Sequence, residues 1–268
     1  MKKKFKLGVI GAGFMATSII KGAIKSKAVL SDEILVSDIN DTSLMNIEKL
    51  NITTTKDNVY LANNSEFVLF AIKPQVLNTV LEEIKDCSCE KFVSIMAGVK
   101  KEKIKSIINN SQVVRCMPNT PCSIGKGVVG VDISDIINEQ DKLFIMSLLN
   151  SFAKVVCLDE DKMHAVTGVS GSAPAYFYLF AKGLIQAGVK NGLTEEQAKI
   201  FVVNTMIGAG EMVNSNPDKT LDELINAVCS KGGTTIEAVK VYNENNLEDI
   251  SLKAVNACVK RSKELENL

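Results

Sequence analysis

The sequence predicts an α/β protein, in which an N-terminal doubly wound, mostly parallel sheet is followed by an all-helical C-terminal region. Two observations predict it. Short apolar runs alternate with helix-like stretches from Phe5 onward, and such alternation implies right-handed crossovers between parallel strands. The strand signal then stops after about Asp161, and the remainder indicates helices separated by capping residues. We therefore predict two domains, residues 1–160 and 161–268.

The elements of the first domain follow from apolar periodicity and from turn residues. Uninterrupted apolar runs are typical of strands that are buried on both faces of a sheet. The predicted strands are Phe5 to Ile10, Glu33 to Ser37, Phe67 to Ile72, Lys91 to Ile95, Val113 to Cys116, Val128 to Val131 and Val155 to Leu158. The predicted helices cover about Phe14 to Ser26, Ser43 to Leu50, Gln75 to Ile84 and Asp141 to Phe152.

Helix starts in the second domain are predicted by the capping box, in which a hydroxyl and a side chain three residues later satisfy free amides. The pairs are Thr194 with Gln197, Thr220 with Glu223, and Thr234 with Glu237. The helix that begins near Ala173 and the stretch Phe201 to Ala209 are apolar around most of their circumference. Because one small domain cannot cover such helices, we predict a homodimer, or a higher homo-oligomer built from dimers.

Composition narrows the class of protein. The 268 residues carry 31 Lys and Arg against 31 Asp and Glu, so no global field attracts nucleic acid or an anionic membrane. No run of about 18 apolar residues and no cleavable leader is visible, which predicts a cytoplasmic protein without membrane partners. Seven scattered cysteines and the single histidine, His164, lack zinc-ligand spacing. We expect reduced thiols and no metal site.

A nucleotide site is predicted by Gly11-Ala12-Gly13-Phe14-Met15-Ala16, which lies between the first strand and the first helix. This is the context that the Rossmann dinucleotide fingerprint requires. Gly11 permits a tight turn, and Gly13 allows the backbone to approach a pyrophosphate. The helix N-terminus offers free amides and a partial positive charge to the phosphates.

The end of the second predicted strand bears on the choice between the two nicotinamide cofactors, because it meets the ribose 2′ position. Asp38 can accept a hydrogen bond from a free 2′-hydroxyl and repels a 2′-phosphate, which favours NADH. Ala16 at the third glycine position is typical of enzymes that use the phosphorylated cofactor, and Ser37 can bind a phosphate if Asp38 points away. At this level the choice between NADPH and NADH stays open.

Further candidates follow two later strands. Ala71-Ile72-Lys73-Pro74 and Met96-Ala97-Gly98 come at carboxyl ends of parallel strands, the edge at which open α/β sheets bind ligands. Lys73 is either a solvated loop lysine or a ligand contact, and its position before Pro74 at a strand end makes the two readings about even.

A second site is predicted at Ser230-Lys231-Gly232-Gly233-Thr234-Thr235, between two predicted helices. Two glycines allow backbone amides to converge with threonine hydroxyls at a helix N-terminus. Such a cradle suits one carboxylate and one hydrogen-bonded nitrogen. A glycine-rich turn with a routine cap is the alternative.

Three stretches together resemble the pyrroline-5-carboxylate reductase family. They are Met117-Pro118-Asn119-Thr120-Pro121, Gly168 to Tyr176 (GVSGSAPAY) and Ser230 to Thr235 (SKGGTT). The N-terminal GAGFMA, the AIKP run at 71–74 and Met96 to Gly98 match as well, so the similarity extends over nearly the whole chain.

The resemblance implies a fold, a partner and a reaction. In this family a Rossmann-like domain carries the nicotinamide cofactor, and a helical C-terminal dimerisation domain interlocks with its twin. The implied oxidoreductase activity is NAD(P)H-dependent reduction of 1-pyrroline-5-carboxylate to L-proline, the last step of proline biosynthesis. Hydride is delivered to the C=N carbon of this small cyclic imine.

Site residues are carried over by matching positions. The implied cofactor contacts are Ile10, Gly11, Ala12, Gly13, Phe14, Met15, Ser37, Asn58, Ala71, Ile72, Lys73, Pro74, Ile95, Met96 and Ala97. The implied substrate contacts are Ser230, Gly232, Gly233, Thr234 and Thr235. Thr235 is the candidate catalytic residue, since its hydroxyl can hydrogen-bond the imine nitrogen and relay its proton.

Three positions depart from the family pattern. Lys231 replaces a proline, Ala173 replaces a glycine, and His164 stands where similar chains commonly carry aspartate. Lys231 loosens the loop but adds a positive charge beside the expected carboxylate. We expect His164 to be structural or at the surface.

Two alternative functions remain at this level. One is a reductase of another imine or a β-hydroxyacid dehydrogenase, for which Lys182 and Lys199 are candidate proton donors by position. The other is a noncatalytic paralogue that binds dinucleotide and acts as a sensor. The intact Met117 to Pro121 and Gly232 to Thr235 segments disfavour the second alternative.

Overall fold

The computed structural model describes residues 3–136 and 138–266. The chain divides into two compact units. Unit 1 comprises the chain up to Ser172 together with the segment from Ala257 on, and unit 2 comprises Ala173–Asn256. The domain boundary that we predict after residue 160 stays a prediction.

An eight-stranded sheet organises the described part of unit 1, with the order β3-β2-β1-β4-β5-β6-β7-β8. The strands are β1 Phe5–Ile10, β2 Ile34–Ser37, β3 Thr53–Thr55, β4 Ser65–Phe70, β5 Lys91–Ser94, β6 Gln112–Pro118, β7 Gly127–Asp132 and β8 Ala153–Cys157. Strands β1 to β6 run parallel, whereas β7 is antiparallel to β6 and parallel to β8. The strand order reverses between β1 and β4, where doubly wound sheets form their ligand crevice.

Helices cover this sheet. In unit 1 they are α1 Phe14–Ser26, α2 Asp41–Glu48, α3 Asn58–Asn64, α4 Leu77–Ile84, α5 Lys101–Lys105, α6 Glu139–Asn150 and α7 Met163–Val166. Strand β4 shows why the sheet is covered on both sides. Phe67 and Leu69 enter one apolar cluster, and Val68 and Phe70 enter the other. Alternate side chains point to opposite faces, so each face requires its own layer of helices.

The predicted α/β class and mostly parallel sheet are confirmed, with local differences. The sequence analysis missed β3, α3 and α5. Strand β3 consists of three threonines that are not buried, and α5 is a short, charged helix, so neither shows an apolar run. The helix predicted from Gln75 begins at Leu77, because Pro74 starts a separate 3-10 turn.

Unit 2 contains α8 Ala173–Lys190, α9 Glu195–Ser215, α10 Leu221–Val228, α11 Thr234–Glu244 and the first part of α12, Leu247–Leu265. The capping boxes predicted at Thr194 and Thr220 are confirmed. The box predicted at Thr234 is wrong, because Gly233 is the N-cap and Thr234 is already helical. Of the helices in the described ranges, none has the length and apolarity needed to cross a lipid bilayer.

Candidate active site

The predicted glycine turn lies at the point of strand-order reversal. Gly11 has a φ of 101°, and a Cβ built on it would lie 2.5 Å from the Ala71 carbonyl oxygen. The Gly11 amide donates to the Ser37 carbonyl at 2.7 Å, and the Ala71 amide donates to the Ile10 carbonyl at 2.9 Å. The ends of β1, β2 and β4 are therefore joined so closely that only glycine fits at position 11.

The turn leads into α1 with an open N-terminus. Gly13 is the N-cap, and no side chain of the described residues caps the helix. A Cβ built on Gly13 would meet no atom within 4 Å, so this backbone faces open space. Ala16 is 1% exposed and lets the helix approach the sheet. Free first-turn amides beside an open backbone fit the pyrophosphate of a dinucleotide.

Polar groups at the end of β2 form a defined network. Asp38 accepts two backbone hydrogen bonds, from Ala12 at 2.7 Å and from Asn40 at 2.9 Å. The Ser37 hydroxyl is buried and donates to the Asn58 side-chain oxygen at 2.7 Å. The Asn58 amide group in turn donates to Glu83 at 2.7 Å. The two backbone amides hold the Asp38 carboxylate beside the glycine turn.

The remaining predicted cofactor residues follow β4 and β5. Lys73 is exposed and precedes the 3-10 turn that begins at Pro74. The Ile95 amide donates to the Phe70 carbonyl at 3.3 Å, which joins the two strand ends, and Met96 is 3% exposed. The structure thus brings the predicted cofactor residues together at one edge of the sheet, and their contacts with a cofactor stay a prediction.

The second predicted site lies in unit 2. The Gly233 amide donates to the Ser230 carbonyl at 2.9 Å across a four-residue turn, and Gly232 has a φ of 71°. These are the features of a type II turn. Because α11 has no side-chain cap within the described chain, the amides of its first turn stay open beside Thr234 and Thr235. An open helix N-terminus after a tight turn can hold a carboxylate.

Two of the motif segments pack together in unit 1, although the sequence analysis assigned neither a role. A π-helical turn, Thr167–Gly171, follows α7 and is closed by the Ser172 amide donating to the Thr167 carbonyl at 2.9 Å. A Cβ on Gly171 would collide with the Met117 side chain. Asn119 accepts from the Val128 amide at 3.1 Å and donates to Ser170 at 3.4 Å. The two family motifs were the sequence signal that could have indicated a functional role for this region. The π-helical turn is consistent with such a role, because π turns are frequent at functional sites.

His164 is buried and paired, which fits a structural role. Its Nδ1 lies 2.9 Å from the Ser262 hydroxyl, and its Nε2 lies 2.7 Å from a Glu266 carboxylate oxygen. Lys100 also contacts Glu266, at 2.8 Å. Burial raises the pKa of Glu266, but the Lys100 hydrogen bond and the charges of His164, Lys100 and Arg115 outweigh it and hold this pKa below its ordinary value. No cluster of metal-ligating side chains occurs among the described residues.

Comparisons with known proteins match both parts of the chain. Residues 160–265 match the family described as pyrroline-5-carboxylate reductase dimerisation. Residues 6–98 match the family described as NADP oxidoreductase, coenzyme F420-dependent. The pyrroline-5-carboxylate reductase of Haemophilus influenzae is 36% identical over 98% of both chains. This chain belongs to the pyrroline-5-carboxylate reductase family.

Solved structures of the family share the fold over the full length. The pyrroline-5-carboxylate reductase of Coxiella burnetii has 32% identity and a TM-score of 0.88, with 98% of this chain and 99% of that chain covered. The Plasmodium falciparum pyrroline carboxylate reductase, solved with NADP bound, has 28% identity and a TM-score of 0.88, with 99% and 100% covered.

The departures from the family pattern fit the local geometry. Lys231 occupies the second position of the type II turn, where proline is favoured but a residue with ordinary φ is accepted. Ala173 is 7% exposed and begins α8, where helical dihedrals suit alanine. His164 is compatible with its buried position because polar groups lie beside both ring nitrogens, the Ser262 hydroxyl at Nδ1 and the Glu266 carboxylate at Nε2.

Proposed function

We propose that this chain is a pyrroline-5-carboxylate reductase, which reduces 1-pyrroline-5-carboxylate to L-proline with NADPH or NADH. The observation that carries the proposal is the likeness to family members over 98% of both chains at 36% identity. The open N-terminus of α1 and the Ser230–Thr235 loop supply the anion-binding groups that this reaction requires.

The cofactor is held by the carboxyl edge of the sheet. The first-turn amides of α1 bind the pyrophosphate, and Asp38 lies where the adenosine ribose is expected. The segments 71–74 and 95–97 follow β4 and β5 at the same edge of the sheet. When bound, the reduced cofactor would supply the hydride for the C=N carbon.

The substrate is held by the turn before α11. The open amides of Thr234 and Thr235 bind its carboxylate, because the helix N-terminus carries a partial positive charge. The half-buried Thr235 hydroxyl hydrogen-bonds the imine nitrogen and relays its proton, since a protonated C=N is the better electrophile. Orientation of the two reactants supplies most of the acceleration.

We also propose a homodimer through unit 2, located in the cytoplasm. Residues 160–265 match the family's dimerisation region. Phe177, Tyr178 and Leu179 on α8 are 58%, 62% and 71% exposed in the single chain. An apolar surface of this kind requires a partner. The seven cysteines are free thiols, which supports a reducing compartment.

The test is the oxidation of NADPH and NADH in the presence of racemic pyrroline-5-carboxylate, with wild type compared to Thr235→Ala and Thr235→Ser. We expect turnover by wild type, a kcat about a hundredfold lower for the alanine variant, and partial retention for the serine variant, which keeps the hydroxyl. Lys182→Ala should keep full activity. A large loss in Lys182→Ala, or absence of turnover by wild type with either cofactor, would contradict the proposal.

A further inference from the structure

We propose that Asp38 makes this chain select NADH over NADPH by recognising the 2′ position of the adenosine ribose. The inference rests on the proposed function only in that both use the same dinucleotide site. It concerns binding, so it can be tested without the imine.

The first observation is the orientation of Asp38. Its two carboxylate oxygens accept from the Ala12 amide at 2.7 Å and from the Asn40 amide at 2.9 Å. These two hydrogen bonds hold the carboxylate beside the glycine turn. Each carboxylate oxygen has two lone pairs, so acceptor capacity remains for a ribose hydroxyl.

The second observation concerns Ser37, the other residue at this strand end that could bind a 2′-phosphate. Ser37 is 1% exposed, and its hydroxyl donates to Asn58 at 2.7 Å. Asn58 in turn donates its own amide protons toward Glu83, at 2.7 Å. A 2′-phosphate could reach Ser37 only if Asp38 turned away and this pair separated. The structure shows Asp38 bound in place and the pair intact.

The third observation concerns the nearby cation. Ser37 pairs with Thr55 across β2 and β3, so the residues that follow them, Asp38 and Lys56, come at the same level of the sheet edge. Lys56 could neutralise a phosphate there, but its ammonium group lies 2.7 Å from the Asp41 carboxylate. Asp57 adds a further negative charge. The edge beside the ribose therefore carries an excess of negative charge.

These observations predict opposite effects on the two cofactors. A free 2′-hydroxyl donates to the Asp38 carboxylate, a hydrogen bond strengthened by the charge of its acceptor. A 2′-phosphate, with up to two negative charges, meets a carboxylate that is held in place and a lysine that is already paired. We expect ADP-ribose cofactors without the 2′-phosphate to bind about ten- to a hundredfold more tightly. The repulsion between like charges a few ångströms apart near a protein surface is large enough to produce a preference of this size.

The experiment measures dissociation constants of ADP-ribose and 2′-phospho-ADP-ribose by calorimetry on the full chain. These probes share the pyrophosphate and adenosine and lack the nicotinamide, so no reaction interferes. Wild type should bind ADP-ribose more tightly by about tenfold or more. Equal affinity, or tighter binding of the phosphorylated probe, would overturn the proposal.

Substitutions at two residues, Asp38 and Asp41, test which side chains cause the preference. Asp38→Asn keeps an acceptor for the Ala12 amide and removes the charge, so the preference should fall to about threefold or less. Asp41→Asn releases Lys56 and should strengthen binding of the phosphorylated probe by a smaller factor. Asp38→Ser serves if the asparagine variant does not fold. A preference that survives in the folded Asp38 variant would overturn the assignment to Asp38.

The matched control is Asp32→Asn, which removes an exposed carboxylate at the opposite end of β2. It should leave the ratio of the two dissociation constants unchanged, and a change would show that net charge alone sets the preference. If wild type selects ADP-ribose but reduces no imine, the proposed function fails and the role of Asp38 stands. If wild type reduces the imine but binds both probes equally, the proposed function stands and the role of Asp38 fails.

Discussion

The two units of the chain differ in how they bury their apolar side chains. In unit 1, Phe67, Phe70 and Phe92 have no exposed surface, and strands and helices cover one another within a single chain. In unit 2, all of whose residues are described, the buried apolar residues are three alanines, at positions 173, 181 and 198. Unit 1 therefore has a core of its own, whereas unit 2 leaves large apolar side chains exposed in the single chain, as expected of helices that pack against a second copy.

This difference matters for stability. A unit with a complete core unfolds independently of protein concentration, while a unit that completes its core by association is stabilised by mass action. The close contact of α8 and α9, at which Gly188 approaches Ala198, orders the helices of unit 2 but covers little large apolar surface. We therefore expect substitutions in unit 1 to change the free energy of unfolding of the single chain, and substitutions in unit 2 to change the association of two chains.

The largest expected effect is at Leu179 on α8, which is 71% exposed in the single chain. Leu179→Asp would place a charge in the proposed dimer interface, and removing one buried leucine and desolvating a carboxylate together cost several kcal/mol, about a hundredfold or more in dimer affinity. Sedimentation equilibrium would show a monomer at concentrations at which wild type is a dimer.

Leu143 on α6 of unit 1 is the control, because it is 70% exposed and is not part of the proposed interface. Leu143→Asp should leave the mass of the assembly unchanged. A Leu179→Asp variant that stays dimeric would show that α8 does not form the interface.

The next effect concerns the two glycines of the nucleotide turn. Gly11→Ala forces a side chain into a left-handed conformation and toward the Ala71 carbonyl, so we expect a loss of about 2–5 kcal/mol in the free energy of unfolding. Gly13 has an ordinary φ of −70° and faces open space, so Gly13→Ala should change the free energy of unfolding by less than about 1 kcal/mol.

Dinucleotide affinity sharpens the contrast between these glycines. Gly13→Ala should weaken ADP-ribose binding by about tenfold, because the new methyl group would occupy the open space in which we propose that the pyrophosphate binds. Urea denaturation and calorimetry on both variants check the two effects. Equal losses of stability in the two variants would contradict the close packing assigned to Gly11.

The elements of unit 1 that could be predicted from the sequence are those with a local signal, such as an apolar run or a turn residue. Apolar runs located β1 and β4, and the glycine motif located the tight turn between β1 and α1. The direction of β7 was missed, although the connection between β6 and β7 covers only residues 119–126. A parallel crossover needs a dozen residues or more, so this length could have indicated an antiparallel pair.

The residues of the candidate site carry sequence signals, but the contacts that these residues make with one another do not, and their roles stay predictions. The anchoring of Asp38 by the Ala12 amide joins groups 26 positions apart, and no spacing rule indicates it. Thr234 was taken as a cap because its sequence context fits the capping box. The turn that binds the Gly233 amide to Ser230 instead makes Gly233 the N-cap, and the helix begins at Thr234.

A smaller effect is expected where the end of α12 contacts the rest of unit 1. Glu266 contacts Lys100 at 2.8 Å and His164 at 2.7 Å, and its side chain is 12% exposed. Glu266→Gln should lower the free energy of unfolding by about 1–2 kcal/mol at neutral pH, the range for hydrogen bonds to charged groups after allowance for solvent screening. Glu264→Gln, at an exposed pair with Arg261, should cost less than about 0.5 kcal/mol.

The pH dependence of this effect follows from the lowered pKa of Glu266. A carboxylate with a pKa below its ordinary value of 4.5 contributes stability above that pH and loses it as the pH falls through the folded-state pKa. The difference between wild type and Glu266→Gln should therefore shrink below about pH 4.5. A difference that stays constant down to pH 3 would show that the charge of Glu266 has no part in it.

The smallest effect compares two threonines at helix starts in unit 2. Thr194 caps α9, since its hydroxyl accepts from the Gln197 amide at 3.2 Å and Gln197 accepts from the Thr194 amide at 3.0 Å. Thr194→Ala should cost about 1 kcal/mol of unfolding free energy, with KM unchanged. Thr234 caps nothing, so Thr234→Ala should cost less than about 0.5 kcal/mol.

The same two variants also separate an effect on stability from an effect on substrate binding. Thr234 lies at the open N-terminus of α11, where we propose that the substrate carboxylate binds, so Thr234→Ala should raise KM for pyrroline-5-carboxylate by about three- to tenfold, the loss of one hydrogen bond to a charged group. Urea midpoints and initial rates on both variants test this. If Thr234→Ala lowered the midpoint as much as Thr194→Ala and left KM unchanged, the first turn of α11 would be a structural cap, and the substrate carboxylate would have to bind elsewhere.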